Sequence, residues 1–498
     1  MYTVHASGVR VTQKLLTPLL LLSVSACGTT VPLAQQRSGA STTVDALGNP
    51  VPTTDSPTTS TDVSGTTGST TAPTGSAGGT SPSYSGGGTS TTGTTGTSVP
   101  QTTGGATGSV VRTPVRVGLL YIDGADAAAS SIGISGLSTG DAVAQAKAVV
   151  AKLNATGGLA GRRIDLRFGK MNASSAINNP DAAYATACTT LTQDEKVSYV
   201  VSYVNLTSAR LACYAKHGVT VLDDQSAVVD SAGAKHAKTF ASPGELALGR
   251  AADELVETLW RRGWLTAKSK VGTLVPDTTD GAEIETRFLI PALARHGLKP
   301  ASTFRAGGAS SAGSTVLKFR SAGVDRVIPM GQSPLFVMST AESQGYRPAY
   351  AMNSGFGPGA LLESAAPKAQ LKNAAGIGWS KFLDIGSGTR PGPVSSNETL
   401  CFALMKQAGQ SSTSGTTQAF QLSLCNVLMY LKAAADQYGV TATVLDQVRT
   451  RGLAFGPADA FDIRMVPGRA DGVSAYRDVA FVDGCSCFQY LSGNRSTQ

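Results

Sequence analysis

Residues 154–166 read Asn-Ala-Thr-Gly-Gly-Leu-Ala-Gly-Arg-Arg-Ile-Asp-Leu. Before this stretch, Val143, Ala146, Val150 and Leu153 recur at three- and four-residue steps and mark one face of a helix. After it, Arg163-Ile-Asp-Leu-Arg-Phe168 alternates polar and apolar, as a strand does. The glycines between them suit a tight turn out of the helix, because glycine alone adopts left-handed backbone without strain. Upstream, Val115-Arg-Val-Gly-Leu-Leu-Tyr-Ile122 is a buried-strand pattern followed by a loop of Gly, Ala and Ser. Strand, helix and strand in this order form a parallel βαβ unit.

The alternation continues. A helix is expected near 181–192, a strand over Val197–Tyr203, a helix near 208–216 and a strand over Val219–Leu222. Ser242-Pro243-Gly244-Glu245 carries a helix-start signature: Ser as cap, Pro in the first position, Glu three residues after the cap. A helix from there to Arg262 would bury Leu248, Ala252, Leu255 and Leu259. Strand Val271–Val275 follows, and Asp280-Gly-Ala-Glu283 repeats the signature for a helix ending at His296-Gly297. Strand Arg326–Met330, the cap Ser333-Pro334 and strand Ala349–Asn353 extend the second series. The fold class is therefore α/β, with two series of βαβ units divided near residue 242.

Composition separates this part from what precedes it. Of 498 residues, 41% are hydrophobic and only 15% charged, with 57 Gly. These values exclude a wholly disordered chain and a coiled coil. No second apolar run approaches the ~20 residues of a membrane span, which excludes a polytopic membrane protein. The first residues read as an export signal, with Arg10 and Lys14 before the apolar run Leu15–Val24. Between positions 41 and 110, 54 of 70 residues are Thr, Ser, Gly or Pro, with no Lys, Arg or Glu. Such a segment cannot bury enough apolar surface to offset its ordering entropy, and reads as a disordered tether reaching roughly 45–55 Å. The first 111 residues carry three basic and three acidic groups, so the net charge of +8 belongs to the remainder. No Lys/Arg cluster of the nucleic-acid kind occurs, and no nucleic-acid partner is expected.

Seven Cys occur. Setting Cys27 aside leaves Cys188, Cys213, Cys401, Cys425, Cys485 and Cys487, an even set that suggests disulfides in an exported chain. Six Cys allow 15 pairings; nearest neighbours, 188–213, 401–425 and 485–487, are the simplest. Metal binding by these thiolates is disfavoured, since no CxxC spacing exists. His217 and His296 each precede a Gly at a helix end and suit a helix C-terminus; His236 is expected in a loop between lysines. The sequence holds no HExxH, GxSxG, P-loop or GxGxxG motif. No metal, cofactor or catalytic residue is expected.

Two resemblances follow. Val24-Ser25-Ala26-Cys27 resembles the lipobox of bacterial lipoproteins, which implies cleavage before Cys27 and lipid on its sulfur. The stretch 154–166 resembles that of type 1 periplasmic binding proteins, in particular the leucine/isoleucine/valine-binding receptors of ABC transporters. Thr239-Phe240-Ala241-Ser242-Pro243, Ser343-Gln344-Gly345-Tyr346-Arg347-Pro348 and Phe455-Gly456-Pro457-Ala458 resemble further parts of that family, in order. The resemblance implies two αβα Rossmann-like lobes with a hinge, joined by three crossings, with ligand between them. It also implies an early disulfide joining the helices after the second and third strands, as Cys188–Cys213 would. The expected organisation is 1–26 signal peptide, 27–113 linker, 114–241 first lobe, 242–378 second lobe, and 379–498 returning to the first lobe and closing on the second.

Ligands of open parallel sheets sit beyond the carboxyl ends of strands, at helix N-termini. The candidate ligand-binding residues are therefore Asp123 and Gly124, Asn205, Thr207 and Ser208, and Gln225 and Ser226 in the first lobe. In the second lobe they are Asp277, Thr278 and Thr279, and Asn353 and Ser354. The family grips a carboxylate with Ser/Thr hydroxyls and backbone N–H groups, a role open to Thr207, Ser208 and Ser226. Its second-lobe Tyr before Gly is replaced by Asp280, and its Glu is missing from Asn353-Ser354-Gly355. The function expected is a lipid-anchored, monomeric receptor on the extracytoplasmic face of the cell membrane. It would close around a small polar or amino-acid-like molecule and dock on permease subunits of an ABC transporter. Two rivals are a cell-envelope sensor or signalling lipoprotein of the same fold, and an extracellular enzyme with an unrecognised site.

Overall fold

The computed structural model describes residues 112–131, 138–225, 228–306, 308–386 and 394–497. The signal peptide, Cys27, the tether as far as residue 111 and Ser226 lie outside the described residues.

The first sheet holds β1 (Val115–Asp123), β2 (Ile164–Asn172), β3 (Tyr199–Ser202), β4 (Thr220–Asp223) and β5 (Phe240–Ala241). All are parallel, in the order β2-β1-β3-β4-β5. Leu119 of β1 lies opposite Phe168 on one side and Val201 on the other. Both faces are covered, as parallel sheets require. Val115, Val117 and Leu119 point into one core and Leu120 into the other. On the second face Leu191 fits against Gly118 and Gly169, where an added Cβ would lie 2.7 and 2.5 Å from it.

The second sheet holds β6 (Val271–Pro276), β7 (Ser302–Ala306), β8 (Arg326–Pro329), β9 (Ala349–Met352), β10 (Ala375–Gly378), β11 (Ala475–Val482), β12 (Cys487–Tyr490) and β13 (Arg495–Ser496). The order is β12-β11-β10-β9-β8-β6-β7, with β13 paired to β11. Strands β6 to β10 are parallel; β11 and β12 close one edge antiparallel.

The chain between the last two parts returns to the first sheet. The 24-residue helix Gly415–Tyr438 packs on the helix Ala142–Ala155 and beside β3 and β4. Together with Ser396–Gln407 and Val444–Arg451 it covers one face of the first lobe. That core runs on into the second lobe through Val271, Ile328, Ala351 and Ile377. Three disulfides form between nearest neighbours: Cys188–Cys213, Cys401–Cys425 and Cys485–Cys487. The first joins the helices Pro180–Thr189 and Ser208–Lys216, which follow β2 and β3.

The opening turn shows why its residues are needed. The Asn154 side chain pairs with the Ile164 backbone like a neighbouring strand: Nδ2 donates to Ile164 O (3.0 Å) and Ile164 N donates to Oδ1 (2.7 Å). Gly158 has φ +66°, and a Cβ there would lie 2.0 Å from Arg162 O. Gly158→Ala is therefore expected to cost roughly 2–4 kcal/mol, from left-handed backbone plus a clash with main chain that cannot swing aside. Gly157 (φ +96°) has open space around it. Gly157→Ala should lose only about 1–2 kcal/mol. Denaturant midpoints of the two variants check this; equal losses would refute the close-approach argument.

Three expectations are corrected. Ser242 does not cap a helix from Pro243: the helix is Leu248–Arg261. The polar groups of 242–245 are engaged elsewhere, Ser242 Oγ donating to Asp223 O (2.6 Å) and Glu245 accepting from the Trp379 indole N–H (3.2 Å). Asp280 does not cap the next helix either. Thr278 does, accepting from Gly281 N (3.1 Å), and leaves Asp280 to reach the other lobe. His236 is not in a loop; it ends the helix Asp230–His236 and is buried. His217 and His296 close helices before Gly218 and Gly297, both at positive φ.

Candidate functional site

The carboxyl ends of β1, β3 and β4 and of β9 and β10 open onto one cleft of about 880 Å³. The first lobe contributes Asp123 and Gly124, then Tyr203 and Asn205, then Asp224 and Gln225. The second contributes Ser354, Gly355, Phe356 and Ser380. The crossings make the floor: Glu245 follows β5, Ser380 follows β10, and Asp459 precedes β11. The helix Gly415–Tyr438 supplies Thr416, Phe420 and Ser423.

Five of the sequence candidates thus meet. Asp123, at the mouth, pairs with Lys170 (3.3 Å). Asn205 O accepts from Tyr184 OH (2.7 Å), and Gln225 Nε2 donates to Ser423 Oγ (2.8 Å). Ser354 Oγ accepts from Trp379 N (2.7 Å), tying the two second-lobe loops together. The cleft lining does not include the other described candidates. Asn353 is buried behind Ser354, with Oδ1 accepting from Gly355 N (2.9 Å). Ser208 binds the second lobe: Oγ donates to Asp280 Oδ1 (2.8 Å) and N donates to Oδ2 (3.2 Å). Thr207 only precedes that helix. Asp277, Thr278 and Thr279 turn away with the loop after β6, held tight because Gly281 packs against Pro276 O, 2.0 Å from where a Cβ would lie.

Apart from Asp123, the sequence reading did not point to the acids and aromatics of this cleft. Asp224 accepts from Gly244 N (2.6 Å) and Asn426 Nδ2 (2.5 Å). Asp459 accepts from the Ser380 hydroxyl and from Phe382 N (3.2 Å). Burial pushes Asp224 up to about 7, with Asn426 and Gly244 N–H opposing the shift. Burial likewise takes Asp459 to about 6, against the pull of Ser380 and Lys381. Glu245 rises well above the carboxylate range through burial and then the nearby Asp224. Aromatic surface comes from Tyr121, Tyr184, Tyr203, Phe356 and Phe420. The Tyr203 and Phe420 rings lie 5.9 Å apart, and Tyr203 OH donates to Thr139 O (2.8 Å). Adjacency was the available signal: Tyr203 and Asp224 flank the candidates Asn205 and Gln225, and Asp459 follows Phe455-Gly456-Pro457-Ala458.

No protein-family model matches the sequence. No curated protein matches it either. Solved structures do. An ABC transporter substrate-binding protein from Desulfitobacterium hafniense in complex with Leu is 14% identical, with TM-score 0.52, covering 76% of this chain and 100% of its own. A periplasmic binding protein type 1 from Bordetella pertussis Tohama I is 13% identical, with TM-score 0.55, covering 76% and 100%. The fold is that of type 1 periplasmic binding proteins. The branched-chain amino acid transporter substrate binding protein of Streptococcus pneumoniae in complex with isoleucine agrees, at 15% identity and TM-score 0.52, covering 77% and 99%. In the type 1 periplasmic-binding fold of this chain, no described helix is long and apolar enough to cross a membrane. Among the described residues no group of three or more His, Cys, Asp or Glu is placed to hold a metal ion.

Proposed function

We propose that this chain is a solute-binding receptor of an ABC transporter, anchored to the extracytoplasmic face of the membrane by lipid on Cys27. The tether 27–113 spaces the receptor from the bilayer. Lobe 1 is 114–241 and lobe 2 is 242–378, with 379–498 returning to lobe 1 and closing on lobe 2. The observation that carries this reading is the single cleft, walled by strand ends of both sheets and floored by the crossings between them. A small molecule there has more contacts when the lobes are closed than when they are apart. It therefore shifts the population toward closure, and the closed face is what permease subunits would engage. The receptor acts as a monomer and transforms nothing.

The Ser208–Asp280 pair belongs to this mechanism. It joins the helix after β3 to the helix after β6, so it forms across the lobes. A charge-assisted contact of this kind contributes roughly 1–2 kcal/mol to closure. In a metabolite screen on the full chain, one small molecule should raise the melting temperature and shrink the radius of gyration by scattering, with one site per chain. Asp280→Ala should weaken that ligand about 5- to 30-fold by populating the open state. A broad screen giving neither melting shift nor compaction would end the receptor reading.

A further inference from the structure

We infer that the ligand of this cleft is an organic cation with an apolar or aromatic body and no carboxylate. The inference rests on the receptor reading and concerns its ligand class. Every charged residue among the described ones lining the cleft is an acid: Asp123, Asp126, Asp141, Asp224, Glu245 and Asp459. Among the described residues the lining contains no Lys, Arg or His, although the chain carries a net charge of +8. Among the described residues only Asp123 of the six has a basic partner within ion-pair distance, Lys170 at 3.3 Å. The other five are held by neutral donors, so no basic side chain of the described lining answers an acid of the cleft, and a bound cation would be met by carboxyl groups able to ionise against it. A cation answers the charge so formed; an anion would add to it.

Three helix starts beside the cleft already hold a carboxylate of the chain itself. Helix N-termini attract anions through their free N–H groups. At Ala142–Ala155, Asp141 Oδ1 accepts from Val143 N and Ala144 N, both at 3.0 Å. At Ser208–Lys216, Asp280 takes Ser208 N (3.2 Å) and its hydroxyl (2.8 Å). At Gly415–Tyr438, Glu363 takes Gly415 N (2.8 Å), Thr416 N (3.0 Å) and Ser414 Oγ (2.8 Å). At these three helix starts the chain's own carboxylates hold the N–H groups; the first and third reach the cleft lining, through Ala142 and Val143 and through Thr416.

Two buried side chains of the lining keep polar atoms for a ligand. Thr416 is 1% exposed and lines the cleft, and its hydroxyl has no hydrogen-bond partner. Glu245, 6% exposed, also lines it and is held from within the protein by one bond, from the Trp379 indole to Oε2. Around them stand the rings of Tyr121, Tyr203, Phe356 and Phe420, which suit an ammonium group and an apolar body, while Tyr184 already carries the Arg210 guanidinium over its ring at 3.8 Å. The cleft's volume is near the upper end of the roughly 300–1,000 Å³ typical of ligand pockets, large for a single aliphatic amino acid.

Calorimetry on the full chain with tyramine, L-tyrosine and 3-(4-hydroxyphenyl)propionate tests this, since the three share a ring and differ in charged groups. Choline and putrescine widen the cationic arm. At least one of the three amines should bind, at least ~30-fold more tightly than either carboxylate-bearing compound. Glu245→Gln keeps an acceptor for the Trp379 indole and removes the group that can ionise against a bound cation; it should weaken that amine about 10- to 100-fold, the effect of losing one charge-assisted bond. Failure of all three amines overturns the inference, as does a ligand from the broader screen that carries a carboxylate. The receptor reading falls only if the broader screen also yields no ligand and no compaction.

Discussion

Lys381→Met is expected to destabilise the protein by roughly 3–5 kcal/mol. Lys381 begins the short helix Lys381–Ile385 just beyond β10, and its side chain is 6% exposed. Its Nζ donates to Glu398 Oε2 at 2.8 Å, and the Glu398 side chain is 3% exposed. Glu398 is in the first turn of Ser396–Gln407, where Ser395 Oγ caps its backbone N–H (3.0 Å). The pair therefore fastens the second crossing to the helix that returns to the first lobe. Removing the ammonium leaves a carboxylate buried without a partner, and that cost far exceeds the net worth of the pair. Lys381→Met with Glu398→Leu should recover most of the loss, because apolar residues of similar volume pack there without charge. Urea midpoints at constant slope measure both. A double variant as unstable as the single one would refute the unpaired-charge account.

The second large effect is on pH. Asp224 sits at about 7 and Asp459 at about 6 in the folded state, against 3.8 ordinarily, because burial disfavours their charged forms. Between about pH 4 and 7 the folded chain holds protons that the unfolded chain has released. The folded state then binds more protons, so stability falls as pH rises through this window. At ~1.4 kcal/mol per pH unit for each group, the ligand-free protein should be several kcal/mol less stable at pH 8 than at pH 5. Asp224→Asn should flatten the upper part of the curve, even if the loss of one hydrogen bond lowers the whole curve. A ligand that favours the ionised acids should bind more tightly over the same rise. Melting temperatures from pH 4 to 8 at fixed ionic strength check the sign; a flat or rising profile contradicts it.

Much of the scaffold was legible because burial leaves a mark on sequence. Val115–Ile122 and Arg163–Phe168 read as strands, and β1 and β2 run over Val115–Asp123 and Ile164–Asn172. The helix Gly415–Tyr438 was not seen. It is buried on nearly every side, so its apolar residues show no 3.6-residue stripe to read. Local signals misled where distant partners claimed them. Ser242 and Glu245 carry the letters of a helix cap, yet they bond to Asp223 and Trp379. Thr278 and Asp280 divide between them the roles of cap and lobe contact. The strand ends gave five lining residues from local order alone. Glu245, Asp459, Thr416 and Phe420 come from the crossings and the returning helix, whose positions depend on contacts far apart in sequence.

The returning path also fixes an order in time. Strands β1 to β5 are the first part of the α/β unit to be synthesised, yet one face of their sheet waits for the helix Gly415–Tyr438. The second sheet waits longer, since β10 gains its antiparallel neighbour only when β11 is made. Neither half can be completed by local contacts, and closing such long loops is slow. A nascent chain halted before residue 415 should remain open to protease in its first half, whereas the finished chain gains protection in both halves together.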